Sequence, residues 1–126
     1  MAIYRATVPP AGATCDTDGC GTVAVVRVAI PEPGRFEATG TDRPRAWDSC
    51  DLHWPAFRSA TLGNGHQVAD GTGDWRDILT DCPGWRVFRS DLGRLYATRP
   101  GVTVYGWLAA QLRAEVQAAQ VAVLGR

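Results

Sequence analysis

The sequence predicts an α+β protein built from two halves. Two features carry this prediction: runs rich in β-branched residues alternate with turn signals, and a segment near the C-terminus has helical periodicity. A glycine-rich stretch, residues 63–73, lies near the middle of the chain. We therefore assign residues 1–62 to a first half, 63–73 to a glycine-rich linker and 74–126 to a second half. The first half is expected to pack on the second, which consists of a β-hairpin and a long C-terminal helix.

The first half is predicted to hold short strands and one helix. Residues 3–8 form a strand before Pro9-Pro10, and residues 22–30 form a second strand. After the turn signal Pro31-Glu-Pro-Gly34, we expect a return strand at residues 35–39. A short helix is predicted from Pro55 to Thr61, because proline is favoured at the first helical position.

The second half begins with a short helix capped by Asp74. Trp85–Ser90 and Arg94–Arg99 are predicted to form a hairpin, with Gly93 taking the left-handed position of its three-residue loop. Helical spacing then predicts a helix from Val104 to Leu124. One face of the hairpin should pack on one face of this helix; the residues expected in contact are Trp85, Val87, Leu95, Ala97, Leu108, Leu112 and Val116.

Composition limits the function classes. The 13 basic residues, all arginine, balance 13 acidic residues, so the net charge is zero. A dedicated nucleic-acid binder usually has a basic excess, so nucleic-acid binding would need a local patch. The longest apolar run, residues 23–30, contains Arg27 and is too short to span a bilayer. Residues 1–13 lack the apolar core of a signal peptide. We expect a cytoplasmic protein with no membrane partner.

Four cysteines and one histidine suggest a metal site. In a reducing compartment, such a cysteine count favours metal binding over disulfides. Cys15 and Cys20 form one local pair, and Cys50 and His53 form another, which together supply the four ligands of a structural zinc ion. The alternative is a pair of disulfides, Cys15–Cys20 and Cys50–Cys82.

The order of these features resembles a treble-clef zinc finger over residues 13–62. In that family a knuckle with two ligands is followed by a hairpin and by a helix whose start carries the last two. The four-residue gap between Cys15 and Cys20 and the proline at position 55 depart from the usual pattern. Treble clefs also include HNH-type nucleases, which need a histidine base. Because His53 is used as a ligand and His66 lies outside the finger, an HNH-like nuclease is the less favoured alternative.

The predicted hairpin offers a candidate partner surface. Arg86, Phe88, Arg94 and Tyr96 alternate onto one face. Aromatics interleaved with arginine suit a protein interface or the stacking of nucleic-acid bases, and the face could also be covered by the rest of the chain. Residues 83–120 are similar to a Trp-containing hairpin-plus-helix segment of small uncharacterised proteins from high-GC bacteria or their phages. That resemblance implies no function.

The sequence therefore predicts a small zinc-binding module for protein interaction or regulation, with a nucleic-acid-binding accessory protein as the alternative. It contains no glycine-rich phosphate loop and no nucleophile elbow, so no catalytic residue and no small-molecule substrate is assigned. Cys82 is interpreted as a core cysteine, and His66 as a solvated histidine.

Overall fold

A computed structural model describes residues 2–30 and 46–124 of the chain. Within these ranges the protein is a mixed α+β fold that contains two separate sheets. It divides into two compact units, Met1–Gly71 and Thr72–Arg126. No helix in the described ranges combines the length and apolar character that a membrane span requires.

The first unit is built on a four-stranded sheet with the strand order β3-β2-β1-β4. Strands β1, β2 and β3 pair in antiparallel fashion, whereas β4 lies parallel to β1 on the opposite edge. The elements, in chain order, are β1 (Ile3–Thr7), β2 (Val26–Ala29), β3 (Ala46–Ser49), α1 (Trp54–Gly63) and β4 (Gln67–Asp70).

Helix α1 confirms the predicted helix and extends it at both ends. Pro55 occupies its first turn, where the missing backbone donor costs nothing. Trp54 is buried at its start. Near its end, the Thr61 hydroxyl donates to the Phe57 carbonyl at 2.9 Å. Because α1 starts at Trp54, it begins immediately after the second predicted ligand pair, Cys50 and His53.

The structure bears on two further predictions for the first unit, the return strand at residues 35–39 and the linker at residues 63–73. The return strand at residues 35–39 lies outside the described residues, and the described antiparallel neighbour of β2 on that side is β3, at residues 46–49. The linker predicted at residues 63–73 contains the boundary between the two units, which lies between Gly71 and Thr72. It is not all loop, because the last residue of α1 and strand β4 lie within it. Gly71 allows a close approach, since a Cβ there would lie 2.9 Å from the Ala6 carbonyl oxygen.

The second unit is a three-stranded antiparallel sheet, in the order β5-β6-β7, packed against a long helix. Asp74 caps a 3₁₀ turn at Trp75–Asp77 by accepting from the Arg76 backbone N–H, as its position predicted. The elements are α2 (Ile78–Asp81), β5 (Arg86–Arg89), β6 (Leu95–Arg99), β7 (Val102–Gly106) and α3 (Ala109–Leu124).

The predicted hairpin register is confirmed. Val87 lies opposite Ala97 and Phe88 lies opposite Tyr96. Gly93 has a φ of 87°, the left-handed conformation expected of it. The inner face of the sheet packs on α3, so the core of the unit consists of Ile78, Cys82, Trp85, Leu95, Ala97, Leu112 and Val116.

The helix predicted from Val104 is wrong in its first turn. Residues 102–106 form β7, which pairs with β6, and α3 begins only at Ala109. Val104 continues the four-residue spacing of the helix by coincidence, although the Val-Thr-Val-Tyr run after Pro100-Gly101 has strand character. The second half is thus a three-stranded sheet with a helix, and not a hairpin with a helix.

Candidate metal centre

The first ligand pair lies in a tight loop that precedes β2. A bridge between Thr14 and Val23 closes the base of this loop. Inside it, the Cys15 N–H donates to the Thr22 carbonyl at 2.7 Å, and the Cys20 N–H donates to the Thr17 carbonyl at 3.0 Å. These bonds fix the backbone on both sides of the loop. They therefore hold the side chains of Cys15 and Cys20 near each other.

The second ligand pair lies at the junction between β3 and α1. The Trp54 N–H donates to the Cys50 carbonyl at 2.9 Å, which folds residues 50–54 into a helical turn. Cys50 and His53, three positions apart in that turn, consequently point the same way. His53 occupies the N-cap position of α1, with its side chain making no capping bond.

Hydrogen bonds between the two segments bring the pairs together. The Asp16 N–H donates to the Asp48 carbonyl at 2.8 Å, and the Asp48 N–H donates back to Asp16 Oδ2 at 2.7 Å. The Val25 N–H donates to the Ser49 carbonyl at 2.8 Å. Each bond involves a residue next to a ligand or next to β2, so the loop and the β3–α1 junction are fixed relative to each other.

The four predicted ligand atoms converge. The Sγ atoms of Cys15, Cys20 and Cys50 and a ring nitrogen of His53 all lie within 4.8 Å of one another. Cys20 Sγ is 3.8 Å from Cys50 Sγ, Cys15 Sγ is 3.6 Å from His53 Nδ1, and Cys50 Sγ is 3.2 Å from His53 Nδ1. All the cysteines of the chain are free. The cluster could therefore hold a metal ion, and the disulfide alternative is not what the structure shows.

The surroundings of the thiols favour a charged form for two of them. Burial raises the pKa of Cys15, but hydrogen bonds from the hydroxyl and backbone of Thr17, with further bonds from Cys50 and His53, bring this pKa down to about 6. Bonds from Thr22 lower the pKa of Cys20. Burial raises the pKa of Cys50. Thiolates are the form that binds metals, so the loop prepares its pair for this role.

The pKa of His53 is shifted upward, whereas those of Cys15 and Cys20 are shifted downward. Its hydrogen bond with Cys15 raises the pKa of His53, since a thiolate stabilises the imidazolium. The lowered pKa of Cys15 and the raised pKa of His53 therefore favour a thiolate beside an imidazolium when no metal is bound. A metal ion would displace the imidazolium proton and any remaining thiol protons, because it requires a neutral imidazole and deprotonated thiols.

A salt bridge braces the sheet beside the cluster. Arg27 donates two bonds to the Asp48 carboxylate, at 2.7 and 2.8 Å, and Asp48 lies opposite Arg27 in the β2–β3 register. The Asp48 side chain is almost fully buried, at 9% exposed, whereas that of Arg27 is 37% exposed. Sequence reasoning missed Asp16 and Asp48. Their only signal was that each is close in sequence to a predicted ligand.

Cys82 and His66 lie outside this cluster in the described structure. Cys82 is buried in the apolar core of the second unit, as predicted. His66 Nδ1 accepts a hydrogen bond from the Ala2 N–H at 3.1 Å, and its ring centroid lies 5.5 Å from that of Tyr4. His66 is thus half-buried and not a fully solvated side chain.

The four candidate partner-binding residues share the face of the second sheet that points away from its core. Phe88 and Tyr96 stack with ring centroids 5.2 Å apart, next to the exposed Arg86. Arg94 lies on the same face, with its guanidinium 3.9 Å from the ring centroid of Tyr105. Sequence reasoning missed Tyr105 because β7 was predicted as helix.

Comparison with known proteins gives no match. No protein-family model, curated protein or solved structure is similar to this chain.

Proposed function

We propose that this chain is a small binding module whose first unit is stabilised by one structural zinc ion. The convergence of Cys15, Cys20, Cys50 and His53 carries the proposal. With Zn–S bonds of about 2.3 Å and Zn–N bonds of about 2.0 Å, a tetrahedron places its S···S pairs at about 3.8 Å and its S···N pairs at about 3.5 Å. Two of the observed separations, 3.8 and 3.6 Å, are close to these values.

The ligand chemistry favours zinc over calcium and magnesium. Three sulfur ligands and one imidazole suit zinc, whereas calcium and magnesium require oxygen ligands. The arrangement of the unit supports a treble-clef-like finger: the Cys15–Cys20 loop is followed by the β2–β3 pair and then by α1, whose start carries the second ligand pair. Strands β1 and β4 extend this finger into a four-stranded sheet.

The proposed zinc has a structural role and no catalytic one. Four protein ligands fill a tetrahedral site, while a catalytic zinc keeps one position for water or substrate. The position of His53 within the ligand cluster and the bond that His66 Nδ1 accepts from the Ala2 N–H support this proposal over an HNH-like nuclease. We accordingly propose a non-enzymatic protein of a reducing compartment, such as the cytoplasm.

The working surface would belong to the second unit. The zero net charge of the whole chain favours a protein partner, and the exposed aromatic and arginine side chains around Phe88 are typical of protein interfaces. One observation favours nucleic acid as a second candidate: arginine is concentrated on the sheet of this unit, as described below.

Elemental analysis of the untagged protein, purified under reducing conditions, tests the metal proposal. We expect about one zinc per chain, released by a strong chelator with loss of structure in the first unit, because the free energy of metal binding contributes directly to folding in such modules. Cys82→Ser provides the matched control and should retain the metal. Protein that contains no zinc, and does not take it up when refolded with zinc, would refute the proposal.

A further inference from the structure

The outer face of the second sheet, the face away from helix α3, carries an ordered set of side chains. The strand register arranges them in rows that run across the strands. Phe88, Tyr96 and Tyr105 form the central row, and Phe88 and Tyr105 are 48% and 53% exposed. One side of this row is formed by Arg86, Thr98 and Thr103, and Arg94 lies on the other side. These seven residues are called the outer face below.

The central row is a continuous aromatic contact. Phe88 stacks on Tyr96 with an interplanar angle of 12°, and the ring centroid of Tyr96 lies 6.3 Å from that of Tyr105. The Arg94 guanidinium covers Tyr105 at 3.9 Å and lies 5.3 Å from the Trp107 ring. The rings are therefore held in place before any partner arrives, which lowers the entropic cost of binding.

A cleft of about 530 Å³ lies at one end of this face. Arg86 and Arg99 both line it, as do the hydroxyl-bearing residues Thr98 and Thr103. Within residues 2–30 and 46–124, no carboxylate forms a salt bridge with Arg86 or Arg99. Arg99 instead lies 5.7 Å from the Trp85 ring. The cleft thus places two arginines and neighbouring hydroxyls at one end of the sheet, with Arg86 on the outer face and Arg99 on the side of Trp85.

The charge of this sheet differs from that of the whole chain. Between Gly84 and Gly106 there are four arginines and one acidic residue, Asp91, in the hairpin loop. The remaining acidic residues of the second unit lie in its helices and in the 3₁₀ turn with its cap. A neutral protein therefore carries a cationic sheet, and charge complementarity requires an anionic partner.

We propose that the outer face binds single-stranded nucleic acid, with phosphates at the Arg86–Arg99 cleft and bases against the aromatic row. Alternate residues of a strand are about 6.6 Å apart, so a row of aromatic side chains lies one such step from an arginine on either side. A single strand of nucleic acid carries a row of phosphates along its backbone and a row of planar bases beside it, which matches an arginine next to an aromatic row. An acidic peptide supplies the charge but not the rings, and duplex DNA keeps its bases stacked inside. This inference rests on the proposed function of a binding module, and it takes nucleic acid, the second candidate there, as the partner, because the partner meets the charge of this sheet and not that of the whole chain.

Fluorescence anisotropy of the full, zinc-loaded chain with labelled oligothymidylate and oligouridylate of about a dozen nucleotides tests the inference. Phe88→Ala and Tyr105→Ala should each weaken binding about fivefold or more, because base stacking is removed. Arg86→Gln should weaken binding and reduce the slope of log affinity against log salt by about 0.7 for each phosphate that the protein no longer neutralises.

Matched controls separate this surface from general electrostatics and from unfolding. Arg113→Gln removes the same charge from α3, where Arg113 pairs with Asp81, and should leave binding within twofold of wild type. Leu79→Ala removes an exposed apolar side chain outside the sheet and should also leave it unchanged. Circular dichroism and zinc content, measured on every variant, confirm that each one is folded and loaded.

Four outcomes would overturn the inference: no binding at low salt; an equal loss of affinity in Arg86→Gln and Arg113→Gln; tighter binding of a polyglutamate peptide or of duplex DNA; and competition by a free mononucleotide that equals competition by the oligonucleotide. The zinc measurement remains independent. Loaded protein that ignores the oligonucleotide refutes only the choice of partner, whereas metal-free protein that binds it refutes only the zinc proposal.

Discussion

The two units bury different kinds of residues, although both are small. In the described part of the first unit, two of the candidate ligands and the polar Asp48, Ser49 and Thr61 are buried beside Val26, Val28 and Trp54. The second unit buries large aliphatic and aromatic side chains, among them Ile78, Leu112 and Trp85. Small domains with limited cores commonly need a metal or a disulfide for stability. Under the proposed function, we expect the unit that buries its candidate ligands to depend on metal and the other unit to fold without it.

The largest expected effect is the unfolding of the first unit alone when a candidate ligand is replaced. Cys50→Ser should abolish zinc binding and unfold this unit, because structural zinc contributes about 10–16 kcal/mol in zinc-finger peptides, more than a small domain's total stability. Amide NMR spectra should lose the dispersed signals of the first unit and keep those of the second. Cys82→Ser should retain its zinc and the signals of the first unit, so that any loss of stability is confined to the second unit. If Cys50→Ser keeps both its metal and its melting temperature, the ligand assignment is wrong.

The next effect concerns the second unit. Leu112 is fully buried, so Leu112→Ala should destabilise this unit by about 2–5 kcal/mol through reduced burial and a new cavity. Urea unfolding followed by hydrogen exchange would locate the destabilised region, and zinc content should not change. Val121→Ala, at a position 70% exposed on the same helix, should stay within about 0.5 kcal/mol of wild type. A loss of zinc in Leu112→Ala would contradict the independence of the two units.

A smaller effect comes from the backbone. Gly93 has a φ of 87°, so Gly93→Ala should cost about 1–2 kcal/mol in the second unit, because a side chain disfavours this conformation. Gly63 ends helix α1 with ordinary φ and open space around it, so Gly63→Ala should be neutral or should stabilise the first unit by up to about 1 kcal/mol. Thermal melts measure both changes. Equal shifts of the same sign would argue against the turn geometry.

The smallest expected effect concerns the salt bridge between Arg27 and Asp48, beside the candidate metal cluster. The coupling between Arg27 and Asp48 should be about 1 kcal/mol or less, since Arg27 is partly solvated. A double-mutant cycle with Arg27→Gln and Asp48→Asn, repeated at high salt, measures this coupling. A large coupling that salt does not reduce would mean that the pair is more important to the first unit than its exposure indicates.

Local patterns gave the most reliable predictions from the sequence. The hairpin register follows from Asp91-Leu92-Gly93 and the alternation on either side of it, and the structure has this register. The metal cluster likewise combines two pairs whose members are close in sequence, and the structure brings all four ligand atoms together. In both cases a few neighbouring residues determine the geometry.

Non-local pairing could not be predicted in the same way. Strand β4 is short, lies among glycines and pairs with β1 from the other end of the first unit. Strand β7 was hidden because Val104 matches the spacing of Leu108 and Leu112. Its absence from the prediction also concealed Tyr105, and with it a third of the aromatic row on the outer face.

The parallel pairing of β1 with β4 has a consequence for the order in which the first unit folds. Ile3 lies beside Gln67, and all four candidate ligands fall between them in the chain. Because closing a longer loop costs more entropy, the two strands meet more readily once a metal joins Cys15 to His53. Zinc present from the start of refolding should therefore speed the assembly of this sheet, whereas the second unit should refold at the same rate with or without it.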